Sequence, residues 1–165
     1  FEDAAAYADW TGAHLPTEAQ WEVAARGGLL HGTYTWGDEP ERPGQRLANY
    51  WHGEFPYLPD TGYGQSTPVG SFPPNGYGLF DMAGNVWEWT GDWYGDTRDV
   101  QPGCAADSRD PQFDIPRKVI KGGSFLCADS YCMRYRPAAR RPQMIDTGMS
   151  HIGFRCVRAT EGKNP

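Results

Sequence analysis

Long apolar runs are missing from this 165-residue chain, so nothing in it reads as a membrane-spanning segment. A basic excess is missing too. The formal charge is -6, which leaves no electrostatic footprint for nucleic acid or for an anionic membrane surface. Cysteine is scarce, with four residues at irregular spacing, which excludes a disulfide-dense scaffold. His14, His31, His52 and His151 stand apart from one another and from the cysteines, which argues against structural zinc. No phosphate loop, dinucleotide fingerprint or nucleophile elbow occurs, and nothing suggests a Ser/His/Asp arrangement. The first residues do not read as a secretion signal and open directly on a helical pattern.

What is abundant is glycine (21), proline (14) and aromatic side chains (14%, including seven Trp). Gly and Pro interrupt regular elements, whereas the aromatics exclude a disordered chain. The expectation is one compact, loop-rich domain over residues 1–165, pinned by large rings. A short helix is expected from Glu2 to Trp10, with Ala5, Ala8 and Trp10 on one face and Gly12 closing it. Thr17 and Gln20 form a capping-box pattern ahead of Trp21, Ala24 and Ala25, and Gly27-Gly28 ends that helix. Residues 31–71 hold no period and read as ordered loop. Asn75-Gly76 signals a turn. Val119 to Lys121 and Phe154 to Val157 read as short strands, and Gly95 to Arg117 as a polar surface excursion.

Three groups carry candidate chemistry. Cys127 and Cys132 put two soft thiols on one Gly-, Tyr- and Arg-rich loop. They suit Cu(I), or Zn(II) given two further ligands. The spacing alone points first to a disulfide between them. Asp81 and Glu88, flanking Gly84 and Asn85, offer hard oxygens that suit Ca²⁺, although solvated acids around core tryptophans explain the same residues. A weaker oxygen cluster surrounds Asn49, Asp60 and Thr61. Arg134, Arg136, Arg140 and Arg141 make a local basic patch, open either to an anionic peptide or to structural ion pairs.

Taken together, these segments resemble the formylglycine-generating enzyme, or sulfatase-modifying factor, family. The match runs in order through residues 14–28, 48–56 and 68–79. It continues through Asp81-Met82-Ala83-Gly84-Asn85-Val86-Trp87-Glu88-Trp89, residues 121–136 and Ile152-Gly153-Phe154-Arg155-Cys156. The resemblance implies an α+β, C-type-lectin-like fold with little regular secondary structure. It implies copper-dependent oxidation by O₂ of a cysteine in a sulfatase Cys-x-Pro-x-Arg motif to Cα-formylglycine, with an external reductant. Cys127 and Cys132 fall on the family's Cu(I) ligands, which displaces the disulfide reading. Ser124 and Trp87 fall beside the oxygen site, with Tyr131 a further neighbour. Asp81, Gly84, Val86 and Glu88 fall on one family calcium site, and Asn49, Tyr50 and Tyr63 on a second.

The departures from the family pattern carry their own expectations. Ala8, Ala25 and Pro137 replace structural cysteines of the vertebrate enzymes, and Cys156 lacks its partner unless Cys104 reaches it. That loss implies a bacterial, reducing cytoplasm. Ala128, Arg141, residues 143–146 and His151 differ along the peptide groove, so a non-catalytic peptide- or glycan-binding module on the same fold is the alternative. The family's N-terminal portion is not represented, and a monomer is expected.

Overall fold

A computed structural model describes residues 1–95 and 115–159 of the chain. Two short helices, α1 (Glu2–Trp10) and α2 (Glu18–Arg26), precede a long loop that holds only the small hairpin β1 (Gly53–Glu54) and β2 (Leu58–Pro59). The main sheet comprises β3 (Trp87–Trp93), β4 (Arg117–Lys121), β5 (Arg141–Met144) and β6 (Ile152–Gly153). Its order is β5-β4-β3-β6, antiparallel except that β6 runs parallel to β3. The result is a loop-rich α+β fold, as the composition implies.

The start of α2 follows from its cap, whereas α1 begins after Phe1 with no side-chain cap. Thr17 accepts from Gln20 N at 3.1 Å, and Gln20 Oε1 accepts from Thr17 N at 2.9 Å, completing the capping box. Gly27, at φ 57°, ends α2 in the left-handed conformation that glycine adopts without a Cβ penalty. Trp21 and Ala25 are buried as the spacing requires. In α1 the buried face is Ala4 and Ala8, and Trp10 is 80% exposed, so the expected Ala5–Trp10 face is rotated. Alanine marks both sides of that helix, and its pattern alone cannot choose between them.

Two strand assignments also change. Phe154 to Val157 is not a strand: pairing occurs just before it, at Ile152 and Gly153, and Val157 makes only an isolated bridge to His14. Strand β3 gives no alternating signal, because Trp87, Glu88, Trp89 and Thr90 are all buried and both of its faces are covered. Of the surface excursion, residues 96–114 lie outside the described residues, whereas Arg117 opens β4.

One contact fixes the loops over the sheet. Gly84 N donates to Gly122 O at 2.7 Å and Asn85 N to Asn49 O at 2.6 Å, knitting three distant segments together. A Cβ on Gly84 would lie 2.1 Å from Asn49 O, so only glycine permits this approach. The main buried cluster gathers Trp87, Trp89, Ile120, Tyr34, Tyr50 and Tyr135. A smaller one holds Trp21, Ala25 and Met82. Burying each large ring contributes on the order of 2–3 kcal/mol.

Candidate active site around the Cys127 and Cys132 thiols

The loop after β4 begins with two consecutive left-handed glycines, Gly122 at φ 88° and Gly123 at φ 71°. At Gly123 a Cβ would meet the Tyr135 backbone at 2.8 Å, so the returning arm of the loop packs directly on its start. The amides of Tyr131, Cys132 and Met133 converge on Ala128 O at 3.1, 2.9 and 3.3 Å, folding the segment back. The chain also fastens its flanks: Phe125 N donates to Asn85 O, and Trp51 N to Cys127 O, both at 2.9 Å. These bonds bring Cys132 beside Cys127.

Both cysteines are free thiols, so the disulfide suggested by spacing is not formed. Their sulfurs share a hydrogen bond, and this splits their acidities. Cys132 is lowered to about 6, chiefly because it accepts the Cys127 S–H, with main-chain bonds and the Arg134 charge adding to that. Cys127 is pushed up by donating that bond and by burial. The pair therefore stands as one thiolate and one thiol at neutral pH. Cys127 is 4% exposed, while Cys132 lies half-buried at the rim. The Ser124 hydroxyl also hydrogen-bonds the Cys127 sulfur. Trp87 belongs to the same buried cluster as both cysteines. Of the expected site residues, only Tyr131 faces outward: it is 74% exposed, its ring stacked on Phe55 at 5.3 Å.

This donor set fits a soft monovalent ion. A thiolate and a thiol sharing one proton present two sulfurs in one place. Among the described residues no group of three or more His, Cys, Asp or Glu is placed to hold a metal ion. For calcium the two proposed sites differ. Asn49 is buried, and its Oδ1 has no hydrogen-bond partner, while its Nδ2 donates to Gln65 O at 2.9 Å. An orphaned buried oxygen of this kind fits a cation, with the Tyr50 and Tyr63 carbonyls as the other expected donors. Around Asp81 the fit is poor. Both oxygens of Glu88 are bonded by Arg155, and Asp81 Oδ2 accepts from Gly70 N at 2.7 Å. Asp81 and Glu88 are therefore not solvated surface acids. They line a cavity of about 410 Å³ with Phe80, Val86 and Phe154.

The basic patch is largely consumed within the fold. Arg140 pairs with Glu18 at 3.0 Å and lies over the Tyr94 ring, and Arg136 donates to Met133 O. The charge of Arg134 acts on Cys132, and that of Arg141 on His151. His151 packs edge-on to Phe125, and burial lowers its pKa. One group escapes sequence reasoning altogether: Tyr34, Tyr50 and Tyr135 stack behind the cysteine loop, with Glu41 and Asp129 as acceptors. Their positions are too far apart in sequence to form a pattern.

Known proteins resemble this chain over nearly its whole length. A family model described as "Sulfatase-modifying factor enzyme 1-like domain" matches residues 1–160. A "Formylglycine-generating enzyme" of Mycobacterium tuberculosis is 52% identical, covering 95% of this chain and 54% of the relative. An "Inactive C-alpha-formylglycine-generating enzyme 2" of Mus musculus is 40% identical over 95% of this chain and 46% of the relative. The chain thus spans about half the length of these curated relatives. Among solved structures, PvdO from Pseudomonas aeruginosa superposes with a TM-score of 0.67 at 26% identity, covering 93% of this chain and 57% of that one.

Proposed function

The chain belongs to the sulfatase-modifying factor family, and on that premise we propose that it oxidises a cysteine in a Cys-x-Pro-x-Arg segment of a sulfatase-type polypeptide to Cα-formylglycine. The observation that carries the reading is the free Cys127–Cys132 pair sharing one proton beside Ser124. The net change converts CH₂–SH to CHO with sulfur leaving as sulfide. O₂ is reduced to water, and the substrate supplies only half of the electrons required, so an external reductant supplies the rest. Bound by Cys127 and Cys132, Cu(I) would supply the O₂ chemistry, since a d¹⁰ ion accepts two sulfurs at low coordination number and leaves room for a third.

The chain's own groups do the holding. Cys132 stands deprotonated at the rim, where a substrate sulfur arrives, and Cys127 anchors the pair from within. Ser124 orients Cys127 through its hydroxyl, and Trp87 closes the buried side. Tyr131 and Phe55 offer an aromatic wall on the exposed side, and Phe125 and His151 another. A structural Ca²⁺ at Asn49, Tyr50 and Tyr63 would tie the loop that carries Trp51 to the sheet.

The test is mass spectrometry of a Cys-x-Pro-x-Arg peptide incubated with the protein, Cu(I), O₂ and a thiol reductant. Aldehyde formation, absent with Cys132→Ala, is expected. The relative named inactive supplies a second reading, a peptide- or glycan-binding module. Peptide binding with neither copper binding nor conversion would select it.

A further inference from the structure

The proposed reaction takes electrons from outside, yet Cys127 is almost wholly enclosed. A stack of aromatic rings leads from the cysteine loop toward the surface. Tyr135 follows Cys132 by three residues and shares its buried cluster. Its ring stacks on Tyr50 at 4.2 Å and 18° and on Tyr34 at 6.1 Å and 14°. Tyr34 stacks on Trp36 at 4.9 Å with the planes 2° apart. Trp36 is only partly buried, and its indole N–H reaches Glu39 O at 2.9 Å on the exposed loop.

Two features separate this column from ordinary core packing. Its two inner phenols both donate to carboxylates, Tyr135 to Asp129 and Tyr50 to Glu41, the latter at 3.1 Å. Each of these phenols therefore has a hydrogen-bonded carboxylate already in place. A neutral phenol gives up an electron at accessible potential only when its proton has somewhere to go, and here each has an acceptor already bonded. For plain packing, phenylalanine would fill the same space without burying hydroxyls that need partners.

We propose that Tyr135, Tyr34 and Trp36 form an electron route between the Cys127/Cys132 loop and the surface, with Asp129 as the proton acceptor of Tyr135 and Tyr50–Glu41 as a second acceptor pair behind it. This rests on the oxidase reading. Tyr135 gives one electron toward the thiol site, where O₂ is the terminal acceptor, and its phenolic proton to Asp129, becoming a neutral tyrosyl radical. Trp36 refills it through the Tyr34 ring while Asp129 returns the proton. An external thiolate then reduces the Trp36 radical cation and leaves as a thiyl radical.

The route is testable without copper or substrate. A flash-generated ruthenium(III) polypyridyl complex oxidises the metal-free protein, and freeze-quench EPR reads the radicals. A hydrogen-bonded tyrosyl signal is expected. Tyr135→Phe should reduce it severalfold, Trp36→Phe should slow its appearance, and Asp129→Asn, at an exposed position, should shorten its life without disturbing the fold. Equal radical yields and line shapes in the wild type, Tyr135→Phe and Tyr50→Phe would overturn the proposal. In the peptide assay, Tyr135→Phe should raise the KM for the reductant severalfold and leave the KM for peptide unchanged. An unchanged reductant KM would also overturn it. A wild type that makes no formylglycine sinks the oxidase reading alone, since the flash experiment does not involve that activity.

Discussion

Arg155 holds both oxygens of Glu88, its Nε 2.5 Å from Oε2 and its Nη2 2.6 Å from Oε1, while Trp21 Nε1 bonds the same Oε2 at 2.7 Å. A strand, a helix and the C-terminal segment thus meet on one buried carboxylate. Breaking such a pair from one side leaves a buried charge without its partner. Arg155→Met is expected to cost about 3–5 kcal/mol. Urea denaturation measures it, and adding Glu88→Gln to the variant should recover part of the loss.

Cys132 should react as a low-pKa thiol. Alkylation by iodoacetamide, followed by peptide mapping, is expected to rise through a midpoint near pH 6 and to level off above neutrality. An unperturbed thiol reaches half its maximal rate only near about pH 8.5. In Cys127→Ala the donated hydrogen bond is lost, so the Cys132 midpoint should move upward. A midpoint that stays near 6 in that variant would contradict the shared proton.

Calcium should act through Asn49. If Asn49 Oδ1 completes a cation site, calcium at 100 times its Kd should stabilise the fold by about 2.7 kcal/mol. Thermal melts with calcium and with a chelator read the difference, and Asn49→Ala should abolish it. The Asp81 side should contribute little, because Glu88 is already neutralised by Arg155.

The ion cluster between α2 and β4 gives a prediction of much smaller size than that for Arg155. Lys121 is fully buried between Glu18 and Glu22, at 3.6 and 3.3 Å, and burial lowers its pKa. Each carboxylate keeps an arginine of its own, Glu18 with Arg140 and Glu22 with Arg26. Lys121→Met should therefore stay within about 1 kcal/mol of the parent in urea denaturation, because desolvating the ammonium offsets most of what its ion pairs return.

The capping box at Thr17 provides a local check on α2. Thr17→Ala removes the bond to Gln20 N and should cost about 1 kcal/mol by the same measurement. A much larger loss would mean that the helix start carries tertiary contacts beyond its cap.

What was legible in the sequence is what depends on neighbours along the chain. The capping box, the Gly27 terminus and the Asn75 turn all follow from residues within one helical turn of each other. The Asn75 side chain does more than turn the chain: it donates to Ala24 O at 2.7 Å and so anchors the loop on α2. The cysteine pair was legible as a candidate, but its state was not. Spacing alone favoured a disulfide, and it takes the Ala128 turn and the shared proton to show two free thiols. Strand β3 escaped because burial on both faces erases the alternation that marks a strand. The Glu88–Arg155 pair and the Tyr34–Tyr135–Tyr50 stack escaped for a different reason. Their members lie tens of residues apart, and only the loop crossings at Gly84 and Gly123 bring them together.

The unequal burial of the two sulfurs gives the site a front and a back. A bulky disulfide or a thiol-reactive metabolite arriving from solution can reach the Cys132 sulfur alone, because Cys127 is almost fully enclosed while Cys132 lies half-buried at the rim. Any mixed disulfide therefore forms in one orientation, at Cys132, and attack by Cys127 on it would release the adduct as a thiol and leave a Cys127–Cys132 disulfide. An outside reductant must then reopen that bond to restore the two thiols. The asymmetry that readies one thiol for chemistry also decides which sulfur an oxidant meets first.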